Sequence, residues 1–156
     1  MNKSSPQKTN ITKTEEPKLK FTDSKAVFEH LEYLGYSLER SDDPINDVVI
    51  ARALNRSTIT VTISKDWVQF LSQYSGYDPA ALNDIVFFQT LNQVNKSTVF
   101  TLWFAVDKDD KTDILINMYA IYRCYEKISF GNFVTSYEQE INTKLPGFAP
   151  WIKASD

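Results

Sequence analysis

The chain has one histidine, His30, and one cysteine, Cys124, and this scarcity bounds most of the chemistry it could perform. A zinc site of familiar spacing draws three or four ligands from such residues, so none can be built here. A Cys124–His30 nucleophile and base is the one thiol arrangement available. Cys124, however, shares strand parity with Ile114, Ile116, Met118, Ala120 and Tyr122, which points to a buried, inert thiol. His30 neighbours the apolar stripe of a first helix and is expected on the helix surface, at the margin of the core.

Asp107, Asp109, Lys111 and Asp113 alternate as the ligands of a calcium loop do. The fifth position is Lys111, the sixth is Thr112 where glycine is needed, and the twelfth is Met118 where glutamate is needed, so a solvated hairpin tip is expected instead. The pairs Asp42/Asp43 and Glu138/Glu140 could act as acid and base only in an apolar cleft that raises one pKa, and they read as solvated faces. Gly35, Gly76, Gly131 and Gly147 are too far apart to bring backbone amides around a phosphate. The expectation is a protein without catalysis, metal or cofactor.

A chain of 156 residues suits one folded unit, and its 42% hydrophobic and 24% charged residues are those of a globular protein. Ten Phe, eight Tyr and three Trp supply core area and also candidate interface anchors. Residues 1–20 hold five Lys and two Glu with almost nothing to bury, and are expected to be a disordered tail. The net charge of −3 then leaves −6 on the remainder, an acidic body that repels nucleic-acid phosphates. No stretch is apolar enough for a membrane span, and residues 1–20 contain no signal-like apolar run. With a single cysteine, these point to a reducing, cytoplasmic setting.

The elements that must position any site follow from periodicity. Asp23 or Ser24 can cap a helix over 24–34, with Val27, Phe28, Leu31 and Leu34 on one stripe and Gly35 at its exit. Residues 47–54, the alternating Ile59, Val61 and Ile63, and residues 67–74 read as strands. Asp78-Pro79 signals a second helix over 79–95, whose apolar positions exceed what one sheet face can bury. Residues 99–106 and 113–125 form a strand hairpin, with Phe100, Leu102, Phe104 and Val106 on one face of the first strand and Leu115, Tyr119 and Ile121 on one face of the second. Ser129 can cap a last helix with the stripe Phe130, Phe133, Val134, Tyr137, Ile141 and Leu145, ended by Pro146-Gly147. Residues 148–156 form an apolar extension, expected to fold back on its own domain. The fold class is therefore α+β: an antiparallel sheet of about five strands with three helices on one side, in the order α-β-β-β-α-β-β-α.

Over 80–145 the chain carries Leu82-Asn83-Asp84-Ile85, Leu91-Asn92-Gln93-Val94-Asn95-Lys96-Ser97-Thr98, the aromatic strand and acidic turn Phe104-Ala105-Val106-Asp107-Lys108-Asp109-Asp110, and Ser129-Phe130-Gly131-Asn132-Phe133. This succession resembles the YbjN family, grouped with the class I type III secretion chaperone fold, and with the leading helix and three strands the resemblance covers about 24–145. It implies a compact domain over 21–147, often dimeric and acting without a cofactor. It also implies a protein partner, such as an unfolded or secreted effector segment held on apolar patches. The Lys-rich tail and the apolar extension depart from the pattern, and no functional residue carries over.

The leading expectation is a non-enzymatic protein-binding domain, chaperone-like or adaptor. The alternatives are a regulatory or sensory domain for a small ligand, and an immunity protein that neutralises a toxin. Trp67, Phe70 and Tyr74 are the candidate protein-binding rings, because a strand whose aromatics alternate irregularly cannot send all of them into one core. Acidic side chains are expected around them, guiding a basic segment. Phe87, Phe88 and Leu91 are the candidate homodimer interface on the outer side of the second helix.

Overall fold

The computed structural model describes residues 23–108, 113–123 and 125–153. The tail 1–20, the hairpin tip around Asp109 and Lys111, and Cys124 lie outside the described residues, as do the expectations placed on them.

Helix α1, Ser24–Tyr33, begins where the Asp23 carboxylate accepts the backbone N–H of Lys25 at 3.0 Å, one of the amides a helix start leaves unpaired. It ends at Gly35, whose φ of +91° is a conformation only glycine adopts freely. Six antiparallel strands follow in the spatial order β1-β2-β3-β4-β6-β5. They are β1 Ser37–Ser41, β2 Asp47–Arg52, β3 Ile59–Ile63, β4 Trp67–Tyr77, β5 Leu102–Asp107 and β6 Ile114–Arg123. The strand beyond the expected five is β1. Its sequence Ser-Leu-Glu-Arg-Ser offers one large apolar residue, which suits an edge strand that charges protect from unwanted pairing but gives no apolar alternation to read.

Register sets one side of the sheet as the core. Val61 faces Phe70, Phe70 faces Ala120, and Met118 faces Trp103, so side chains of one parity form a continuous buried layer across β3, β4, β6 and β5. Strand β4 runs three residues past its expected end because the chain shifts register between Tyr74 and Tyr77, where Gly76 takes a φ of +90°. The helix expected over 79–95 is two elements. Asp78 caps a 3-10 turn, Pro79–Asn83, through the Ala80 amide at 2.8 Å, and Asp84 then extends and caps α2, Ile85–Ser97, through the Val86 amide at 2.8 Å. Two Asp caps six residues apart split what the apolar pattern reads as one helix.

Helix α3, Lys127–Lys144, starts two residues before Ser129, whose hydroxyl donates to the Glu126 carboxylate at 2.6 Å and caps no amide. Its apolar side lays Phe130, Phe133 and Tyr137 around Phe70, with ring centroids 5.9, 5.2 and 5.6 Å away. The extension begins as a second 3-10 turn, Leu145–Trp151. Phe148 is fully buried, stacked on Trp103 at 5.8 Å and 12° and edge-on to Phe87 at 5.7 Å. Backbone bonds from Asp78 N to Trp151 O and from Lys153 N to Gly76 O, each 2.9 Å, tie the segment to the end of β4.

Candidate protein-binding face

Each ring contact between a helix and the sheet falls on the buried parity, which leaves the opposite face without a helical cover among the described residues. On β4 the odd positions Trp67, Gln69, Leu71 and Gln73 point to this open side, while Val68, Phe70, Ser72 and Tyr74 point to the core. On β6 the open side carries Leu115, Asn117, Tyr119 and Ile121, and on β5 it carries Leu102, Phe104 and Val106. Cross-strand pairing aligns Leu71, Tyr119 and Leu102 in one row. Leu102 is 55% exposed, Ile121 41% and Phe104 37%, an unusual run of large apolar side chains facing water on adjacent strands.

The sequence-based binding trio divides. Trp67 is on the open face, half-buried and paired across the ladder with Arg123. Phe70 is not available to a partner: it is fully buried under α3. Tyr74 also points inward, half-buried, its hydroxyl 2.6 Å from Ser57 Oγ. Strict alternation along β4 up to the shift at Gly76 sends 70 and 74 to the core together. The residues missed are Leu71, Leu102, Phe104, Val106, Tyr119 and Ile121. The sequence did group those of β5 and β6 by face; what marked that face as the outer one is Trp103, the largest side chain of β5, on the opposite parity. Phe100 leaves the group, because it precedes β5 and its ring lies 5.8 Å from Phe133 of α3.

Polarity on the open face is mostly uncharged. Gln73 Nε2 donates to Asn117 Oδ1 at 2.7 Å in the middle of the apolar rows, and Thr60 and Thr62 extend the face across β3. Among the described strand residues, the charged groups of this face are the exposed Glu39–Arg52 pair at 3.6 Å on the β1 side, and Arg123 beside Trp67. The acidic surround expected for the binding rings is therefore not at this face.

The dimer trio divides as well. Phe87 is fully buried against Phe148 and Trp151, and Leu91 is buried beside it, so neither is free for a second subunit. Phe88 is 39% exposed, with Ile85 and Val86 exposed next to it. The apolar surplus of α2 is largely spent on the C-terminal extension, which the periodicity of α2 alone could not reveal. Asn95 of α2 also closes the edge of β5: its side-chain amide accepts from Trp103 N at 2.7 Å and donates to Trp103 O at 2.8 Å. This imitates a neighbouring strand and blocks sheet extension there.

The titratable groups hold elements together away from the open face. Glu138, read from sequence as solvated, is buried; it accepts the Tyr36 hydroxyl and lies 3.2 Å from the Arg56 guanidinium, which also donates to Leu34 O at 2.8 Å. Burial, and then the bond to Glu138, pushes the Tyr36 pKa far above that of a free tyrosine. Glu140 is likewise engaged, accepting from the amides of Val99, Phe100 and Thr101 at 2.7 to 3.3 Å and from Thr101 Oγ1 at 2.7 Å. Those amides face a carboxylate, which is why β5 starts at Leu102 and not at 99.

His30 is buried, 7% exposed, with Phe130 at 5.1 Å and its Nδ1 3.1 Å from the Tyr125 hydroxyl. The expected place at the core's margin is corrected by Gly131 of α3, which has no side chain and lets the ring settle: a Cβ there would be 3.2 Å from His30 Nε2. Desolvation, with Lys127 as the smaller cause, lowers the His30 pKa. Among the described residues no group of three His, Cys, Asp or Glu is placed to hold a metal ion, and no helix is long and apolar enough to cross a membrane.

No family model matches the chain, and no curated protein matches it in sequence. Among solved structures it is similar to YbjN from E. coli, a proposed transcription regulator, with a TM-score of 0.62 over 85% of this chain and 97% of that one, at 14% identity. At that identity the likeness speaks for the backbone arrangement and for nothing finer. The chain has a YbjN-like α+β fold.

Proposed function

We propose that the chain is a non-enzymatic protein-binding domain, chaperone-like or adaptor, that receives its partner on the open face of the sheet. The observation that carries this reading is the exposure of Leu102, Phe104, Val106 and Ile121 on neighbouring strands of a sheet whose other face holds the core beneath the helices. Apolar side chains presented together on a rigid sheet suit contact with another apolar surface, and an uncharged face lowers the desolvation cost of covering it. The partner segment that fits is apolar and weakly charged, as in an unfolded or secreted effector segment, in place of the basic one expected from the acidic body. A second copy is proposed separately at Phe88, Ile85 and Val86 of α2, and a cytoplasmic setting agrees with both.

The test is a photo-crosslinking residue at position 104 in the native cell, with a control at Glu32 on the exposed side of α1, followed by calorimetry with the captured partner. Trp67→Ala is expected to weaken binding by about 1–3 kcal/mol if the indole is an anchor, and Leu102→Asp by more. Equal affinity for wild type and both variants would remove the open face from the site.

A further inference from the structure

Near its end, β4 gains a residue over β6: Tyr74 faces Ile116 and Tyr77 faces Ile114, three steps along one strand against two along the other. The extra residue turns Tyr77 out of the open-face parity of Leu71 and Gln73 and onto the core side, where it is 3% exposed. The C-terminal extension is tied down beside it. Ile152 bridges to Tyr77, Lys153 N bonds to Gly76 O at 2.9 Å, and Trp151 Nε1 donates to Asp84 Oδ2 at 2.8 Å. These ties hold open a pocket of about 380 Å³ at the end of the core layer, of the size of a small-molecule site. Tyr74 and Tyr77 line it from β4, Asn142 and Leu145 from the end of α3, and Ala149 and Ile152 from the extension.

Two features of the pocket set what it takes, and the first is an unused hydroxyl. Tyr77 Oη has no hydrogen-bond partner among the described residues, whereas the hydroxyl of Tyr74 is engaged by Ser57 Oγ. Every fully enclosed side-chain nitrogen or oxygen among the described residues has a partner, so the Tyr77 oxygen keeps an opening, and the pocket that the residue lines supplies it. Burial, and then the neighbouring Tyr74, raise the Tyr77 pKa, so this hydroxyl keeps its proton and can donate as well as accept. The second feature is the lack of charge. None of the lining residues is ionic, and Lys153, next to Ile152, is paired with Asp113. An ion entering here would lose its water without gaining a counter-charge.

We propose that this pocket binds an uncharged, largely apolar small molecule carrying one carbonyl or hydroxyl oxygen. The apolar body lies against Leu145, Ala149 and Ile152, and the oxygen meets the Tyr77 hydroxyl, which thereby gains the partner that folding leaves it without. Because Tyr77 is on the core side of the sheet, this site and the open face of Leu102 and Phe104 are different surfaces, and the ligand is a function additional to the protein partner.

The probe is benzophenone with the full chain: two rings and one carbonyl, which under near-ultraviolet light adds a neighbouring C–H bond across its C=O. The expected result is saturable labelling within residues 74–77 or 142–152. Benzhydrol, with the same rings and a hydroxyl, should protect against it, and diphenylacetate, with the same rings and a carboxylate, should protect about tenfold more weakly. Tyr77→Phe should weaken binding by about fivefold while the melting temperature stays at or above the wild-type value, because the hydroxyl removed had no partner. Ala149→Phe fills the pocket from an exposed position and should abolish the labelling in a folded chain. The proposal is overturned by labelling that does not saturate or maps elsewhere, by equal protection from diphenylacetate, by wild-type affinity in Tyr77→Phe or Ala149→Phe, or by a lower melting temperature in Tyr77→Phe. Labelling lost at concentrations where light scattering shows a dimer would give the pocket to a second copy and overturn it too.

Discussion

On one face of the sheet, Phe70 sits among Phe130, Phe133 and Tyr137 with no surface left to water; on the other, Phe104 and Leu102 stand on the edge strand with much of theirs exposed. Both faces carry large apolar side chains. The difference lies in what completes them: the inner face is closed by α1, α2, α3 and the C-terminal turn, whereas the outer face has no such layer among the described residues. Apolar side chains on the inner face are therefore accounted for by folding, and those on the outer face are free to act in binding.

The largest effect that sharpens this comparison is on stability. Phe70→Ala should cost about 3–5 kcal/mol, since it removes a ring at the centre of a closed aromatic cluster. Phe104→Ala should stay within about 1 kcal/mol, and chemical denaturation of the two variants measures the gap. Comparable losses would mean that the outer face is already packed against something in the isolated chain.

Arg56→Ala should come next, at about 1–3 kcal/mol, because it leaves the buried Glu138 carboxylate with the Tyr36 hydroxyl alone. The guanidinium is partly exposed, which keeps the expectation below that for a fully buried pair. Arg56→Lys should recover only part of the loss, because a lysine cannot hold the Leu34 carbonyl and the carboxylate together.

A smaller effect follows from His30. Its folded pKa is below the unfolded value of about 6.5, so the unfolded chain takes up the proton first as pH falls. Its contribution to stability is complete above about pH 6.5 and declines as pH drops toward the folded pKa. Thermal melts near pH 7.5 and near pH 5 should show a lower melting temperature in acid, and His30→Phe should shrink that difference. A difference of the same size in the variant would assign the acid sensitivity to carboxylates elsewhere.

The helical stripes, the strand alternation and the order of elements were legible in the sequence, because burial on one side imposes a period the residues must follow. The parity of β5 and β6 was legible too, and it supplied the apolar rows of the open face. What could not be read was set by contacts between distant segments. Phe87 and Leu91 look like surplus on α2 until Phe148 and Trp151 fold over them, and Glu138 looks solvated until Tyr36 and Arg56 reach it from the other end of the chain. Strand β1 was hidden for a different reason: an edge strand is kept polar, so it lacks the alternation that reveals a buried one.

The most direct test of the binding face pairs folding with capture in one variant. Phe104→Asp places a charge among Leu102, Asn117 and Gln73 on the open face, where water can still solvate it. The account predicts a melting curve close to wild type together with loss of the crosslinked partner. A folded Phe104→Asp chain that retains its partner at wild-type affinity would contradict it.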